Sequence, residues 1–209
     1  GNSRNDNPKS GDPIYYWNGS GYSSATYDPT THPRGDGVYK SGYDTITANG
    51  VAKNCLTVGA VNDAVLLFDG KFVRWPPSGT MSTFSGWGPT DDGRIKPDVV
   101  GNGVGLYSAH NATDSSYSTS DGTSMASPNV CGTAALLLEQ FRRFGSEPRA
   151  STMKALLIHT ADDLGTPGPD YRFGWGLVNG VYAADVIAAD HGFGGVTHIR
   201  EGVRSDADG

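Results

Sequence analysis

The chain has 209 residues, 36% of them hydrophobic and 18% charged, which suits one domain, or a large piece of one, with a real core and excludes general disorder. Its 16 basic and 22 acidic residues give a net charge of −6, and with no basic stretch beyond Arg142-Arg143 little would attract a nucleic acid. The longest apolar runs, 64–68 and 134–138, fall far short of the roughly 20 residues that a membrane helix needs.

Residues 1–50 read as loop, punctuated by Asn18-Gly19-Ser20-Gly21, Asp28-Pro29 and Arg34-Gly35-Asp36-Gly37. So long a loop points to a functional surface or an insertion. Cys55-Leu56-Thr57-Val58-Gly59-Ala60-Val61 is near-continuous and β-branched, the pattern of a strand buried on both faces of a parallel sheet. Residues 64–75 read as a β-hairpin turning at Asp69-Gly70, a pair that supplies the positive φ values of a type I′ turn. Turn chemistry follows at 84–89 and 91–94, then a short strand around 97–100 and a polar, Ser-rich stretch over 108–121. A helix is predicted over 125–144, with Ala126, Val130, Ala134, Leu137, Leu138 and Phe141 at one-face spacing. Its many small residues suggest close packing on several sides. Further helices are predicted over 149–161, with Met153, Leu156, Leu157 and Thr160 inward, and over 180–189. Strands mixed with helices define an α/β class.

Two cysteines, Cys55 and Cys131, are too few for a disulfide framework and read as two buried free thiols or one bridge. The five histidines form no H-x-x-x-H pair, which argues against a zinc-type site. Leu106 stands where the third Gly of a dinucleotide fingerprint would be. Asn111-Ala112-Thr113 is a glycosylation sequon. The segment that demands an explanation is Asp121-Gly122-Thr123-Ser124-Met125-Ala126-Ser127-Pro128. There a Ser sits where a loop ends and a small-residue helix begins, beside backbone N–H groups with no intrahelical partner. Such a Ser is either an N-cap or a nucleophile whose developing oxyanion those donors can hold.

The string Gly122-Thr123-Ser124-Met125-Ala126-Ser127-Pro128 closely resembles the nucleophile motif of subtilisin-like serine peptidases, the subtilases. Four further segments resemble that family in the same order. Ala52-Lys53-Asn54 with Leu56-Thr57-Val58-Gly59-Ala60 is similar to its central strand. Phe84-Ser85-Gly86-Trp87-Gly88-Pro89-Thr90 with Asp92-Gly93-Arg94-Ile95-Lys96-Pro97-Asp98-Val99 is similar to its "FSxxGPT.DGRxKPD" stretch. Lys154-Ala155-Leu156-Leu157-Ile158-His159-Thr160-Ala161 is similar to its "KALLxxTA" helix, and 171–178 to its "GWGxV" loop.

The resemblance implies a three-layer α/β/α fold with a mostly parallel sheet, represented by the C-terminal half of a catalytic domain over 1–189. Residues 190–209 are then a linker or the start of another domain. It implies peptide-bond hydrolysis through an acyl-enzyme, with Ser124 as nucleophile and Asn2, the tail of an Ala-Gly-Asn motif, as oxyanion donor. The triad Asp and His precede the Ser in this family, so both are expected outside this chain, in a missing N-terminal half, and the isolated piece is expected to be inactive. His32 lacks the family's "HGTHVAG" surroundings; His159 reads as a packing residue and Asp121 as a turn residue. The implied partner is a protein or peptide substrate and the implied location secreted, although Gly1-Asn2-Ser3 opens with no signal peptide. Calcium is raised by the resemblance, without ligands to name. A non-catalytic subtilase-like pseudoenzyme, or a binding or structural module, is the alternative.

Overall fold

A computed structural model describes residues 1–5, 8–28, 30–31, 42–192 and 198–202. Among them the strands are β1 (Pro13–Trp17), β2 (Tyr22–Thr26), β3 (Val58–Val61), β4 (Val65–Phe68), β5 (Lys71–Arg74), β6 (Val99–Asn102), β7 (Leu106–Ala109) and β8 (Tyr117–Ser120). Three α-helices follow, α1 (Thr123–Arg143), α2 (Ala150–His159) and α3 (Gly180–His191). No helix of the described residues is long and apolar enough to cross a membrane.

The centre is a parallel pair, β3 with β6, in the register Val58↔Val99 to Val61↔Asn102. Leu177 adds a parallel bridge to Val100. Successive side chains leave opposite faces of a strand, and each face has its own core. Val99 packs with Val130, Leu137 and Phe141 of α1, Leu156 and Leu157 of α2, and Ala183 and Ile187 of α3. Val61 and Val100 pack on the other side with Ala64, Leu164, Phe173 and Leu177. The class is α/β, with the helices stacked on one face of the parallel pair.

Beneath these cores lies a charged knot. Asp98 accepts from Lys96 Nζ at 2.6 Å and from the Thr57 N–H at 2.6 Å, and pairs with Lys154 Nζ at 3.0 Å. Lys154 also donates to the Cys55 carbonyl at 2.7 Å. The knot ties the approach to β3, the approach to β6 and α2 together.

Residues 64–75 form the expected hairpin, β4 antiparallel to β5, with Asp69 at φ 49° and Gly70 at φ 71°. Two other hairpins correct the sequence reading. The loop-rich first fifty residues contain β1 paired with β2 across Asn18-Gly19-Ser20-Gly21, and the polar stretch 108–121 contains the second half of β7 and all of β8, which pair. Helix α1 is also not enclosed on several sides: Cys131 is exposed, and Leu136 is 68% exposed. Cys55 is half-buried, and both thiols are free. Beyond α3, Asp190 accepts from the N–H groups of His198 and Ile199, and Glu201 accepts from the Arg149 N–H at the start of α2. Residues 198–202 therefore dock on the helices.

Candidate active site

Two glycines let α1 start where it does. A Cβ on Gly103 would lie 2.6 Å from Ala60 Cβ and 2.8 Å from the Gly122 carbonyl oxygen, and one on Gly101 would lie 2.8 Å from Val130 Cγ2. No side chain fits at either place, so the first turns of α1 rest directly on the end of β6. The Gly103 N–H donates to Val61 O at 3.0 Å, and its carbonyl accepts the Gly122 N–H at 2.8 Å. Gly122 itself has φ 152° and ψ 158°, a region essentially reserved for glycine.

Helix α1 begins at Thr123, and the residue before it offers no side chain to cap it. The Met125 and Ala126 N–H groups donate to the Gly122 carbonyl. The Thr123 N–H is taken from far away in sequence: it donates to Asn2 Oδ1 at 2.9 Å, and Thr123 Oγ1 donates to the same oxygen at 2.7 Å. Because a backbone N–H can only donate, the Asn2 atom it meets must be the carbonyl oxygen, which fixes the amide's orientation. Its Nδ2 lies against Gly122, 3.4 Å from where a Cβ would stand. Asn2 is itself held by its neighbours, since Gly1 O accepts the Gly86 N–H at 2.9 Å and the Arg4 N–H donates to Phe84 O at 3.3 Å.

Ser124 is exposed in the first turn of α1. Neither its hydroxyl nor its N–H has a hydrogen-bond partner among the described residues. The start of α1 thus gathers an unengaged hydroxyl, an unengaged backbone N–H and an oriented amide N–H₂. Donors so arranged can stabilise an oxyanion forming beside the hydroxyl.

Other sequence candidates fall elsewhere. Asp121 Oδ1 accepts the Gly105 N–H at 2.6 Å, as a turn residue would. His159 is a correction: it is exposed near the end of α2 rather than packed. None of the described histidines bonds to Ser124, and His32 lies outside the described residues. No group of three or more His, Cys, Asp or Glu side chains that could hold a metal ion converges among the described residues. Sequence reasoning missed Thr123, whose double contact with Asn2 has no signal beyond its place beside Ser124.

The family model described as "Subtilase family" matches residues 10–176, and the chain belongs to that family. Among curated relatives, the serine protease AprX of Bacillus subtilis is 31% identical over 147 residues, covering 65% of this chain and 30% of AprX. Pyrolysin of Pyrococcus furiosus is 32% identical over 172 residues, 72% of this chain and 12% of pyrolysin. Among solved structures, the CspB protease of Clostridium perfringens superposes with a TM-score of 0.57 at 26% identity, covering 70% of this chain and 30% of CspB. The chain therefore spans less than a third of each of these three proteins.

Proposed function

We propose that these residues are the nucleophile-bearing part of a serine endopeptidase that acts outside the cytoplasm on protein or peptide substrates. Ser124 Oγ attacks the scissile carbonyl carbon while its proton passes to a His base, which an Asp orients. Both of those groups come from elsewhere in the whole protein. The tetrahedral oxyanion is held by Asn2 Nδ2 and the Ser124 N–H. Collapse breaks the C–N bond, the leaving amine takes the proton from the imidazolium, and water then hydrolyses the acyl-Ser.

The observation that supports this reading is the contact of Asn2 with Thr123 across 121 residues of sequence, immediately beside Ser124. The test compares the whole peptidase, its Ser124→Ala variant and the 209-residue chain on a peptide anilide. Turnover is expected from the whole protein alone, because a Ser without a base is a poor nucleophile. Activity that survives Ser124→Ala, or Ser124-dependent turnover by the isolated chain, would overturn it.

A further inference from the structure

Trp87 lies in the segment that runs beside residues 1–4, and two guanidinium groups stack on its indole. Arg4 Cζ is 4.3 Å and Arg172 Cζ 4.5 Å from the ring centroid. The two cations are therefore no more than about 9 Å apart, close enough to repel wherever water is partly excluded. Burial first and the charge of Arg172 second push Arg4 below its ordinary pKa.

No carboxylate among the described residues pairs with either of them. Arg74, Arg94, Arg142, Arg143 and Arg149 each have a carboxylate partner, whereas Arg4 and Arg172 have none among the described residues. Asp170 is nearby in sequence, but its Oδ1 is engaged by the N–H groups of Arg172 and Phe173, both at 2.7 Å. Arg172 is aimed instead by Tyr43, whose hydroxyl accepts from Nε at 2.8 Å while its ring meets Trp87 edge-on at 5.0 Å. That single contact leaves the outer edge of the Arg172 fork unoccupied, the edge that matches a carboxylate. The Trp87 Nε1–H is sealed from solvent with no acceptor, so cation–π contacts rather than a hydrogen bond hold the ring. A cavity of about 420 Å³ adjoins the cluster, with Tyr43, Asp170, Tyr171 and Arg172 in its wall.

We infer that Arg4 and Arg172, presented on Trp87 and Tyr43, form an anion subsite for the carboxylate of a bound peptide. That the carboxylate is a peptide's rests on the peptidase reading, since the same strip of backbone holds Asn2. The anion supplies the counter-charge that no described residue provides, and it is gripped by the Arg172 fork within the field of Arg4.

The experiment reads binding without turnover, so its failure leaves the proposed role of Ser124 standing. The full 209-residue chain, labelled with ¹⁵N, is titrated with acetyl-Ala-Glu-Ala-amide, acetyl-Ala-Gln-Ala with a free carboxyl end, and acetyl-Ala-Gln-Ala-amide. The indole N–H signal of Trp87, assigned with Trp87→Phe, is followed. Saturable movement is expected with at least one carboxylate peptide and not with the amide control; which one moves it tells an acidic side chain from a chain terminus. The apparent affinity should weaken roughly tenfold or more in Arg172→Gln, as befits a lost charge-assisted fork, and should fall as salt is raised. Arg172 is exposed, so this variant keeps the test open even where Arg4→Gln perturbs folding. Equal response to all three peptides, no saturable response, a response to inorganic phosphate alone, or an unchanged response in Arg172→Gln would overturn the inference.

Discussion

Replacing Asp98 with Asn removes one carboxylate and strands two ammonium groups. The side chains of Lys96 and Asp98 keep 2% and 8% exposure, and that of Lys154 keeps 23%. Lys154 can turn partly to water and retains the Cys55 and Lys53 carbonyls as acceptors. Lys96 has only Thr57 Oγ1 at 3.0 Å and the Cys55 carbonyl at 3.3 Å to fall back on, both neutral. Breaking a buried pair on one side costs about 3–5 kcal/mol, because the remaining charge is uncompensated. For a chain of this size that corresponds to a fall in Tm of roughly 6–20 °C, and the exposure of Lys154 favours the lower half. Thermal unfolding followed by near-ultraviolet circular dichroism measures it. Changing Lys96 and Lys154 to Met together with Asp98→Leu should recover much of the loss, since apolar groups of similar volume often replace buried ions without penalty. A Tm for Asp98→Asn within about 2 °C of the parent, the range of an ordinary surface change, would refute the reasoning.

Thr123→Val removes one of the two donors that fix the Asn2 amide and leaves the backbone one, so kcat of the whole peptidase should fall roughly fivefold, the worth of about 1 kcal/mol. KM should stay unchanged and Thr123→Ser should restore the rate; a wild-type rate in the Val variant would dismiss the role. Gly103→Ala must displace Ala60 or Gly122, so a loss of about 1–3 kcal/mol is expected in urea titrations. Gly132→Ala, in the open middle of α1 with nothing within 4 Å of its Cβ position, should instead stabilise by about 0.5–1 kcal/mol. Asp92 is held at about 2 rather than 3.8, chiefly by its bond from Arg94 and then by that from Thr90. A depressed carboxylate stabilises above its unfolded pKa and loses that contribution as pH falls through the folded one. Protection of the Arg94 N–H, bonded to Thr90 Oγ1, should therefore persist at pH 4 and collapse towards pH 2.

The parts of the fold written locally were legible. The apolar run into Val61 became β3, Asp69-Gly70 became the β4–β5 turn, and the periodic stretches became three helices whose ends moved by a few residues. The strand placed around 97–100 begins at Val99 instead, because Pro97 has no N–H and the Asp98 side chain is drawn into the lysine knot. The hairpins at β1–β2 and β7–β8 were not legible. Tyr117-Ser118-Thr119-Ser120 has the composition of a turn, and it is a strand because Tyr117 stacks on Tyr107 at 5.6 Å across the ladder, which no local pattern reveals. The small residues of α1 suggest enclosure, yet nothing lies within 4 Å of a Cβ at Gly132 and the neighbouring Cys131 is exposed. The placement of Ser124 in the first turn of α1 was legible from its motif. Asn2 was legible only through a resemblance, since its meaning lies in a contact with a residue 121 positions away.

On the proposed mechanism, that contact also accounts for an Asn at position 2. The side chain must accept from the Thr123 N–H and still own a donor to turn towards Ser124, and a short amide does both at once. Asn2→Asp separates the two requirements. A carboxylate accepts the same two Thr123 bonds, and it does so at the positive end of α1, where a negative charge contributes about 0.3–1 kcal/mol. The variant should unfold at or above the parent's temperature. It has no N–H to offer, however, and it sets a like charge where the oxyanion must form. In subtilisin the loss of an oxyanion-hole Asn costs about 10²–10³ in kcat, which is the scale for Asn2→Ala in the whole peptidase. Asn2→Asp should fall below Asn2→Ala in kcat/KM while exceeding it in Tm, because repulsion acts on the transition state and attraction on the helix end. If Asn2→Asp proves at least as active as Asn2→Ala, no negative charge develops beside Asn2 during the reaction, and its place in the oxyanion site fails with it.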